Sequence, residues 1–149
     1  MLQIRKATRE DAGALRELYS CHLTSDPPTQ GQDLGQWEEL LRQFEADENY
    51  HILVGVEEGR AISSVTLVVV RNLTHGLRPY ALIENVVTHA GFRGRHYATA
   101  LMERAGEIAR EMGCYKIMLL TGSRREETLR FYENCGFNRN DKTAFIRWL

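Results

Sequence analysis

The spacing of hydrophobic positions along this chain changes near residue 50 from helical to strand-like. Before that point, residues 3–6 form a short strand candidate, and Thr8 with Asp11 has the spacing of a capping box that opens a helix. Two stripes at spacings of three and four follow, Leu15, Leu18, Tyr19 and His22, then Trp37, Leu40, Leu41 and Phe44. The Pro- and Gly-containing stretch 25–31 separates them, so two helices precede the sheet.

From residue 50 the pattern is that of strands. Residues 52–56 and 62–70 flank a turn at 57–60, which predicts a hairpin. A turn-rich connector over 72–79 leads to a third strand over 80–88. These three strands are predicted to form an antiparallel meander.

The helical period then returns for one long segment. Residues 98–112 carry an apolar stripe that ends at Gly113, and 116–120 is a buried strand candidate. A strand, a helix and a strand of these lengths imply a right-handed crossover, so 80–88 and 116–120 should run parallel in a mixed sheet. The remaining elements are a helix over 126–134 and a terminal strand over 143–148.

Composition excludes several classes of protein. The 149 residues, 43% hydrophobic with a net charge of -1, suit a single globular domain over 1–149 and not a basic nucleic-acid binder. Three scattered cysteines without a CxxC pair predict reduced thiols and no metal site. No run approaches the roughly 20 apolar residues of a membrane span, so we expect a cytoplasmic protein without a membrane partner.

The stretch FRGRHYATAL at 92–101 is the first candidate for chemistry. It leads into the long helix, whose N-terminal N–H groups and dipole favour an anion such as phosphate. Gly94 allows a close backbone approach, and Arg93 and Arg95 add cationic donors. A solvated, charge-bearing turn explains the same residues equally well.

Two motifs together resemble the GNAT superfamily of acetyl-coenzyme A dependent N-acetyltransferases. The family's pyrophosphate loop, [QR]-x-x-G-x-[GA], is similar to RGRHYA after the strand ending IENVVT, and its -FY-x-x-x-GF motif is similar to FYENCGF. The opening IRKATRED and the hairpin turn EEGR extend the resemblance over nearly the whole chain. It implies an α+β fold with a mixed, mostly antiparallel sheet of about six or seven strands, splayed at a parallel pair and flanked by about four helices.

The resemblance also implies how acetyl-CoA, the co-substrate, is held. The diphosphate would lie on the loop and first helical turn, at Arg93, Gly94, Arg95, His96, Tyr97, Ala98 and Thr99. Pantetheine would bond to backbone groups near Val86, Val87 and Thr88, where the strand over 80–88 parts from its parallel neighbour. His96 departs from the motif because it replaces the second glycine; its ring either crowds or contacts the phosphates, or simply faces solvent.

Acetyl transfer needs a neutral amine, an oxyanion donor and a proton for the departing thiolate. The resemblance makes Tyr132 the general acid or thiolate donor, although its position also suits a core tyrosine. Glu84 interrupts an apolar run and is the base candidate, with a structural carboxylate paired to an arginine as the alternative. A backbone N–H near Val86 or Val87 is the expected oxyanion donor.

Several other polar residues are weaker candidates. The lone histidines His51 and His89 are expected at the surface, and Cys135 in the core. The arginines of the last helix region, Arg124, Arg125 and Arg130, are expected on a solvated face, with phosphate or acceptor binding as the alternative.

The predicted function is therefore direct transfer of an acetyl group from acetyl-CoA to a primary amine of a small molecule. An acyl-CoA-binding sensor with little transferase activity is the alternative, and a purely structural partner-binding domain is a third. The apolar character of 144–149 favours a homodimer.

Overall fold

The computed structural model describes residues 1–23 and 33–149, so the predicted break at 25–31 lies outside the described residues. The strands are β1 (Gln3–Lys6), β2 (Tyr50–Glu57), β3 (Arg60–Val70), β4 (Tyr80–Thr88) and β5 (Ile117–Leu119). The helices are α1 (Ala12–Leu18), α2 (Leu34–Ala46), the single turn α3 (Thr74–Leu77), α4 (Tyr97–Glu111) and α5 (Glu126–Asn134). Short helical turns at Arg9–Asp11, Tyr19–Leu23 and Ala90–Phe92 join them.

The strands form one sheet in the order β1-β2-β3-β4-β5. The pairs from β1 to β4 are antiparallel, whereas β4 and β5 are parallel, which confirms the predicted meander, crossover and mixed sheet. The predicted terminal strand over 143–148 is wrong: this segment is unpaired and residues 138–149 are all exposed. The described part of the chain therefore has five strands instead of six or seven.

Helices cover both faces of the sheet and divide the core into two clusters. One lies under α1 and α2, and its most buried members include Leu15, Leu18, Val54 and Val87. The other lies under α4 and α5 and includes Val65, Leu67, Ile83 and Leu101. The apolar stripe predicted for α4 is the buried one, because Leu101, Met102, Ala105, Ile108 and Ala109 all face the sheet.

A buried ion pair ties β1 to the start of α1. Asp11 accepts two hydrogen bonds from the Arg5 guanidinium, at 2.7 and 2.9 Å, and one from the Thr8 N–H at 2.8 Å. Burial raises the pKa of Asp11, but Arg5 and Thr8 outweigh it, so that the pKa lies below its usual value. The capping box predicted at Thr8 and Asp11 is confirmed. Among residues 1–23 and 33–149, no helix is long and apolar enough to cross a membrane.

Candidate active site

The sheet opens between its two parallel strands. The last β4–β5 pair is Ile83 with Leu119, and β4 then continues alone on that side as far as Thr88. Its other edge remains paired, with Val87 opposite Ser64 and Thr88 opposite Ser63. The backbone on the β5 side of 84–88 has no partner strand in the described part of the chain, so hydrogen-bonding groups line the gap.

A β-bulge at Asn85 sets which way the side chains point at this opening. The β3–β4 register shifts between Ser64 and Thr66, and Asn85 has a φ of 52°. Asparagine tolerates this left-handed conformation better than most residues. The bulge reverses the alternation of side chains between the two faces of the sheet. Ile83, before the bulge, packs under α4, whereas Val87, after it, packs under α1 and α2.

The loop that enters α4 leads to a helix start with free backbone N–H groups. Gly94 has a φ of 75°, and His96, the residue that caps the helix, has φ 60° and ψ 18°. The first bond inside the helix runs from Ala100 N to His96 O, and no side chain of the described residues caps the helix start. The N–H groups of the first turn, Tyr97, Ala98 and Thr99, therefore have no acceptor within the helix. His96 takes the glycine-like conformation of the motif while its ring lies exposed.

The two loop arginines contact protein groups. Arg93 donates from Nε to Thr88 O and from Nη2 to His22 O, both at 3.3 Å. Arg95 lies 3.9 Å from Glu57 and over the Phe92 ring at 5.2 Å. These contacts fix the loop between β4 and the turn after α1, which leaves the backbone N–H groups and the helix dipole as the groups aimed at an anion.

Tyr132 lies on the side of the gap formed by α5. It is half-buried and belongs to the same apolar cluster as Val86 and Leu119, the residues on either side of the gap. Burial raises its pKa, and Cys135 and the charge of Glu84 raise it further. The phenol therefore stays protonated at neutral pH, as a proton donor must.

Glu84 lies at the last position of β4 before the bulge and is exposed. No Lys, Arg or His of residues 1–23 and 33–149 forms a salt bridge with it, so the arginine-paired alternative lacks its arginine there. Its negative charge contributes to the raised pKa of Tyr132 and, after burial and Tyr19, to that of Tyr50. Glu84 is thus electrostatically linked to phenols on both sides of the sheet.

A cavity of about 410 Å³ lies between the first two helices and the sheet, and it is lined by Thr66 and Asn85, the cross-strand partner and the next residue of Glu84. Its walls are mostly aromatic and aliphatic, and sequence analysis had placed most of these residues in the core. Two buried hydroxyl oxygens, Tyr19 Oη and Thr66 Oγ1, have no hydrogen-bond partner within the described ranges. Burial raises the pKa of Tyr19 and outweighs the neighbouring Ser64 and Thr66 hydroxyls, which lower it. The lining residues are Leu15, Tyr19, Gln36, Trp37, Leu40, Leu41, Phe44, Tyr50, Ile52, Thr66 and Asn85.

The remaining histidine and cysteine candidates lie outside this arrangement. His51 is half-buried near Lys6 and Arg104, and burial lowers its pKa. His89 accepts a hydrogen bond from Gly91 N at 3.1 Å and serves as a cap. Cys135 is half-buried with a raised pKa, so its thiol is not activated as a nucleophile.

The arginines near α5 lie on a solvated face. Arg125 pairs with Glu127 at 2.9 Å, and Arg130 lies 3.6 Å from Glu126, all four side chains being more than half exposed. Arg124 is exposed as well. Exposed pairs of this kind contribute at most about 1 kcal/mol each.

Glu17, His22 and His89 form a compact cluster whose possible metal-ligand atoms lie within 4.8 Å of one another. Both histidines use Nδ1 to accept a backbone N–H, from Ala90 for His22 and from Gly91 for His89. That tautomer carries its hydrogen on Nε2, so neither ring offers a free lone pair there. Glu17 is also engaged with Arg60 at 2.7 Å, which makes the cluster a set of hydrogen bonds that joins α1 to the loop.

Comparison with known proteins agrees with this geometry. The family model for the acetyltransferase (GNAT) family matches residues 14–137. The chain belongs to the GNAT family. Its members use acetyl-CoA as co-substrate, and the chain is accordingly an acetyl-CoA dependent N-acetyltransferase with the predicted mixed α+β fold.

Similar proteins extend the match over the whole chain. Glucosamine 6-phosphate N-acetyltransferase of Trypanosoma brucei brucei is 31% identical over 141 residues, which cover 95% of this chain and 92% of that protein. A putative acetyltransferase from Agrobacterium tumefaciens str. C58 is 39% identical, with a TM-score of 0.86 over 98% of this chain and 99% of that one. Glucosamine-6-phosphate N-acetyltransferase from Arabidopsis thaliana shares the fold, with a TM-score of 0.84 at 22% identity over 99% and 98% of the two chains.

Proposed function

We propose that this chain, as one domain over 1–149, moves the acetyl group of acetyl-CoA directly to a primary amine of a small molecule. The observation that carries the proposal is the position of Glu84: its cross-strand partner Thr66 lines a cavity under the first two helices, and its charge acts on Tyr132 in the cluster on the other face of the sheet. An amine bound in the cavity would reach the opening between β4 and β5, where the thioester is expected.

The proposed roles follow from these positions. Glu84 takes the proton from the ammonium, directly or through water, because no cation in the described residues neutralises its carboxylate. Tyr132 donates to the departing thiolate, because its raised pKa keeps the phenol protonated and able to donate. A backbone N–H near Val86 or Val87 faces the oxyanion, and Val86, Val87 and Thr88 bond the pantetheine amides. The backbone of 93–99 holds the diphosphate.

The cavity favours an amine with an apolar or ring-shaped body. Aromatic faces such as Trp37 and Tyr50 attract cations and pack against rings, while Tyr19 Oη and Thr66 Oγ1 offer hydrogen bonds at the buried end. The lining contains no Lys or Arg, and residues 24–32 contain none in the sequence. A phosphate group of the acceptor would have to lie outside this cavity.

Glucosamine 6-phosphate is the second candidate acceptor, favoured by the named activity of the relatives. Its sugar ring suits the cavity, and its phosphate would need the exposed arginines of the loop at 121–125 or a second chain.

Measurement of thiol release with acetyl-CoA and a panel of amines tests the proposal. The panel contains glucosamine 6-phosphate, glucosamine, an aminoglycoside, polyamines, arylalkylamines and amino acids. We expect turnover with at least one of them. If glucosamine is acetylated as efficiently as its 6-phosphate, the phosphate contributes nothing to recognition and the cavity decides the acceptor.

Calorimetry of acetyl-CoA binding, combined with the thiol-release assay, separates the enzyme from an acyl-CoA-binding sensor. The test works in the same way for a monomer and for a homodimer. The sensor alternative predicts acetyl-CoA binding with background thiol release across the panel. It also predicts that Tyr132→Phe changes nothing. Either result would contradict the proposed transferase activity.

A further inference from the structure

The loop that enters α4 begins with a short helical turn whose first N–H groups are accepted by two imidazoles. Within this turn, Phe92 N donates to His89 O at 2.9 Å. The N–H groups that open a helical turn find no acceptor inside it. Gly91 N donates to His89 Nδ1 at 3.1 Å. Ala90 N donates to His22 Nδ1 at 3.3 Å, although the two residues are 68 positions apart in the chain.

The backbone of His22 holds the same loop a second time. Arg93, the residue after the turn, donates from Nη2 to His22 O and from Nε to Thr88 O, both at 3.3 Å. One guanidinium therefore joins the end of β4, the loop and the turn that follows α1. Both acceptors are backbone carbonyls, so this contact depends on where residue 22 lies and not on its side-chain type.

His22 is a fixed point because its own turn packs on the core. The turn Tyr19–Leu23 continues α1 with π-helical hydrogen bonds, a feature that is frequent at functional sites. Tyr19 and Leu23 pack against the core cluster under α1 and α2. The His22 ring in turn lies against the His89 ring, with 4.3 Å between their centroids. The loop is thus attached to a well-packed part of the fold.

The charges around His22 favour its role as a hydrogen-bond acceptor. Burial lowers the pKa of His22, the charges of His89 and Arg93 lower it further, and Glu17 only partly opposes them. The ring is therefore neutral at pH 7, and a neutral imidazole has one unprotonated nitrogen. Nδ1, the nitrogen that faces the Ala90 N–H, is the one that accepts.

We propose that His22 is a positioning residue for acetyl-CoA, which holds the start of the loop so that the free N–H groups of the first turn of α4 face the diphosphate. This inference rests on the proposed function, in which the backbone of 93–99 holds that diphosphate. His22 acts through Ala90 and Arg93 and not by contact with the co-substrate. Without its ring the turn is held less tightly, and acetyl-CoA must order the loop as it binds, which lowers the affinity.

Calorimetry with two thioesters tests the proposal. S-acetylpantetheine, measured by competition, has the same thioester as acetyl-CoA but lacks the diphosphate. The parent should bind acetyl-CoA more tightly than S-acetylpantetheine. His22→Leu should weaken acetyl-CoA binding about fivefold, the size expected for one lost hydrogen bond, and leave the affinity for S-acetylpantetheine unchanged. An unchanged acetyl-CoA affinity in His22→Leu overturns the proposal.

The same measurements separate this inference from the proposed function on which it rests. A parent that binds both thioesters equally would contradict the diphosphate site itself, and with it the role of His22. His75→Asn is the matched control, because His75 is an exposed histidine before the first residue of β4, at the far end of that strand from the loop. It should bind both thioesters like the parent.

Two amide variants distinguish positioning from a merely structural role. Asparagine Oδ1 is two bonds from Cβ, as histidine Nδ1 is, whereas glutamine Oε1 is one bond further away. His22→Asn should therefore keep the acetyl-CoA affinity of the parent, and His22→Gln should resemble His22→Leu. If affinity follows the thermal stability of the variants instead of the presence of an acceptor atom at this place, His22 is only structural and the proposal is wrong.

Amide hydrogen exchange tests the contact itself. The Ala90 N–H should exchange slowly in the parent and in His22→Asn, and faster in His22→Leu. The Gly91 N–H is the internal control, because it donates to His89 and should exchange at the same rate in all three chains. Equal exchange of Ala90 in the parent and in His22→Leu would show that the imidazole does not hold the turn and would refute the proposal.

Discussion

Glu84 lies directly opposite Thr66 in the β3–β4 register, one residue before the bulge at Asn85. Directly opposed residues in an antiparallel pair share a face, so the carboxylate and the Thr66 hydroxyl point to the same side of the sheet. Thr66 lines the cavity. This relationship brings the base candidate to the rim of the space where an amine would bind.

Removing the Tyr132 hydroxyl separates catalysis from binding. Tyr132→Phe should lower kcat by roughly 100-fold, the lower range of a general acid's contribution, because the thiolate loses its proton donor. Acetyl-CoA affinity should stay unchanged, since we propose that the backbone of 93–99, and not this phenol, holds the diphosphate. Steady-state thiol release and calorimetry measure the two effects. Equal kcat in parent and variant would remove Tyr132 from the chemistry.

Glu84→Gln should lower kcat/KM by roughly 100-fold at neutral pH, because the amine then loses its base. The deficit should shrink as the pH rises and more of the free amine is neutral in solution. Glu48→Gln is the matched control, since the Glu48 side chain is 82% exposed in the turn before β2. A pH-independent deficit would assign Glu84 to positioning and not to proton transfer.

Thr66→Val tests the unpartnered hydroxyl in the cavity. Because Thr66 Oγ1 is buried without a hydrogen-bond partner among residues 1–23 and 33–149, its removal should leave the free energy of unfolding unchanged or raise it by about 1 kcal/mol. The KM of the acceptor should nevertheless rise about fivefold, which corresponds to about 1 kcal/mol for one hydrogen bond. Urea unfolding and acceptor titration measure the two quantities.

Ser64→Ala is the control for this change, because Ser64 Oγ is also buried but donates to Leu53 O at 3.0 Å. It should destabilise the fold by about 1 kcal/mol and leave the acceptor KM alone. If both variants changed only stability, the cavity would not be the acceptor site.

His96 tests the backbone of the loop. His96→Gly should retain acetyl-CoA binding, because glycine adopts the observed φ of 60° without strain. His96→Val should destabilise the chain by about 1–2 kcal/mol and weaken acetyl-CoA binding several-fold, since a β-branched residue avoids this conformation. Thermal unfolding with and without acetyl-CoA measures both. Weaker binding by His96→Gly would show that the imidazole itself contacts the co-substrate.

The Arg5–Asp11 pair makes stability depend on pH. The folded-state pKa of Asp11 is lowered, so its contribution is present above the unfolded value of about 3.9 and is lost as the pH falls through the folded pKa. Asp11→Asn should therefore cost about 1–3 kcal/mol at pH 7. The difference from the parent should diminish below about pH 4. Urea unfolding at several pH values measures it, and a constant difference would contradict the mechanism.

Much of the fold follows from local sequence patterns, namely hydrophobic periodicity and the order of neighbouring residues. The period change near residue 50 gave the meander, and the apolar stripe ending at Gly113 gave α4 with its buried face. The loop was predictable because Gly94 lies just before a predicted helix start. His96 replaces a glycine of the family motif, and the structure shows that it has the positive φ for which glycine is suited. Periodicity and adjacency are properties of neighbouring residues, so they need no tertiary information.

The cavity under the first two helices and the conformation of residues 143–148 were decided only in three dimensions. The sequence does not distinguish an aromatic residue that lines a cavity from one packed in the core, because both follow the same hydrophobic periodicity. Examples are Tyr19, Trp37 and Tyr50. Likewise, alternation over 143–148 predicts a strand, but a strand forms only where an edge lies within reach. The sequence by itself predicted the five paired strands, the long helices and the loop, and its family resemblance supplied Tyr132 as a candidate. Packing of distant elements decided which buried hydroxyls lack a hydrogen-bond partner among residues 1–23 and 33–149, because such contacts join residues that are far apart in the chain.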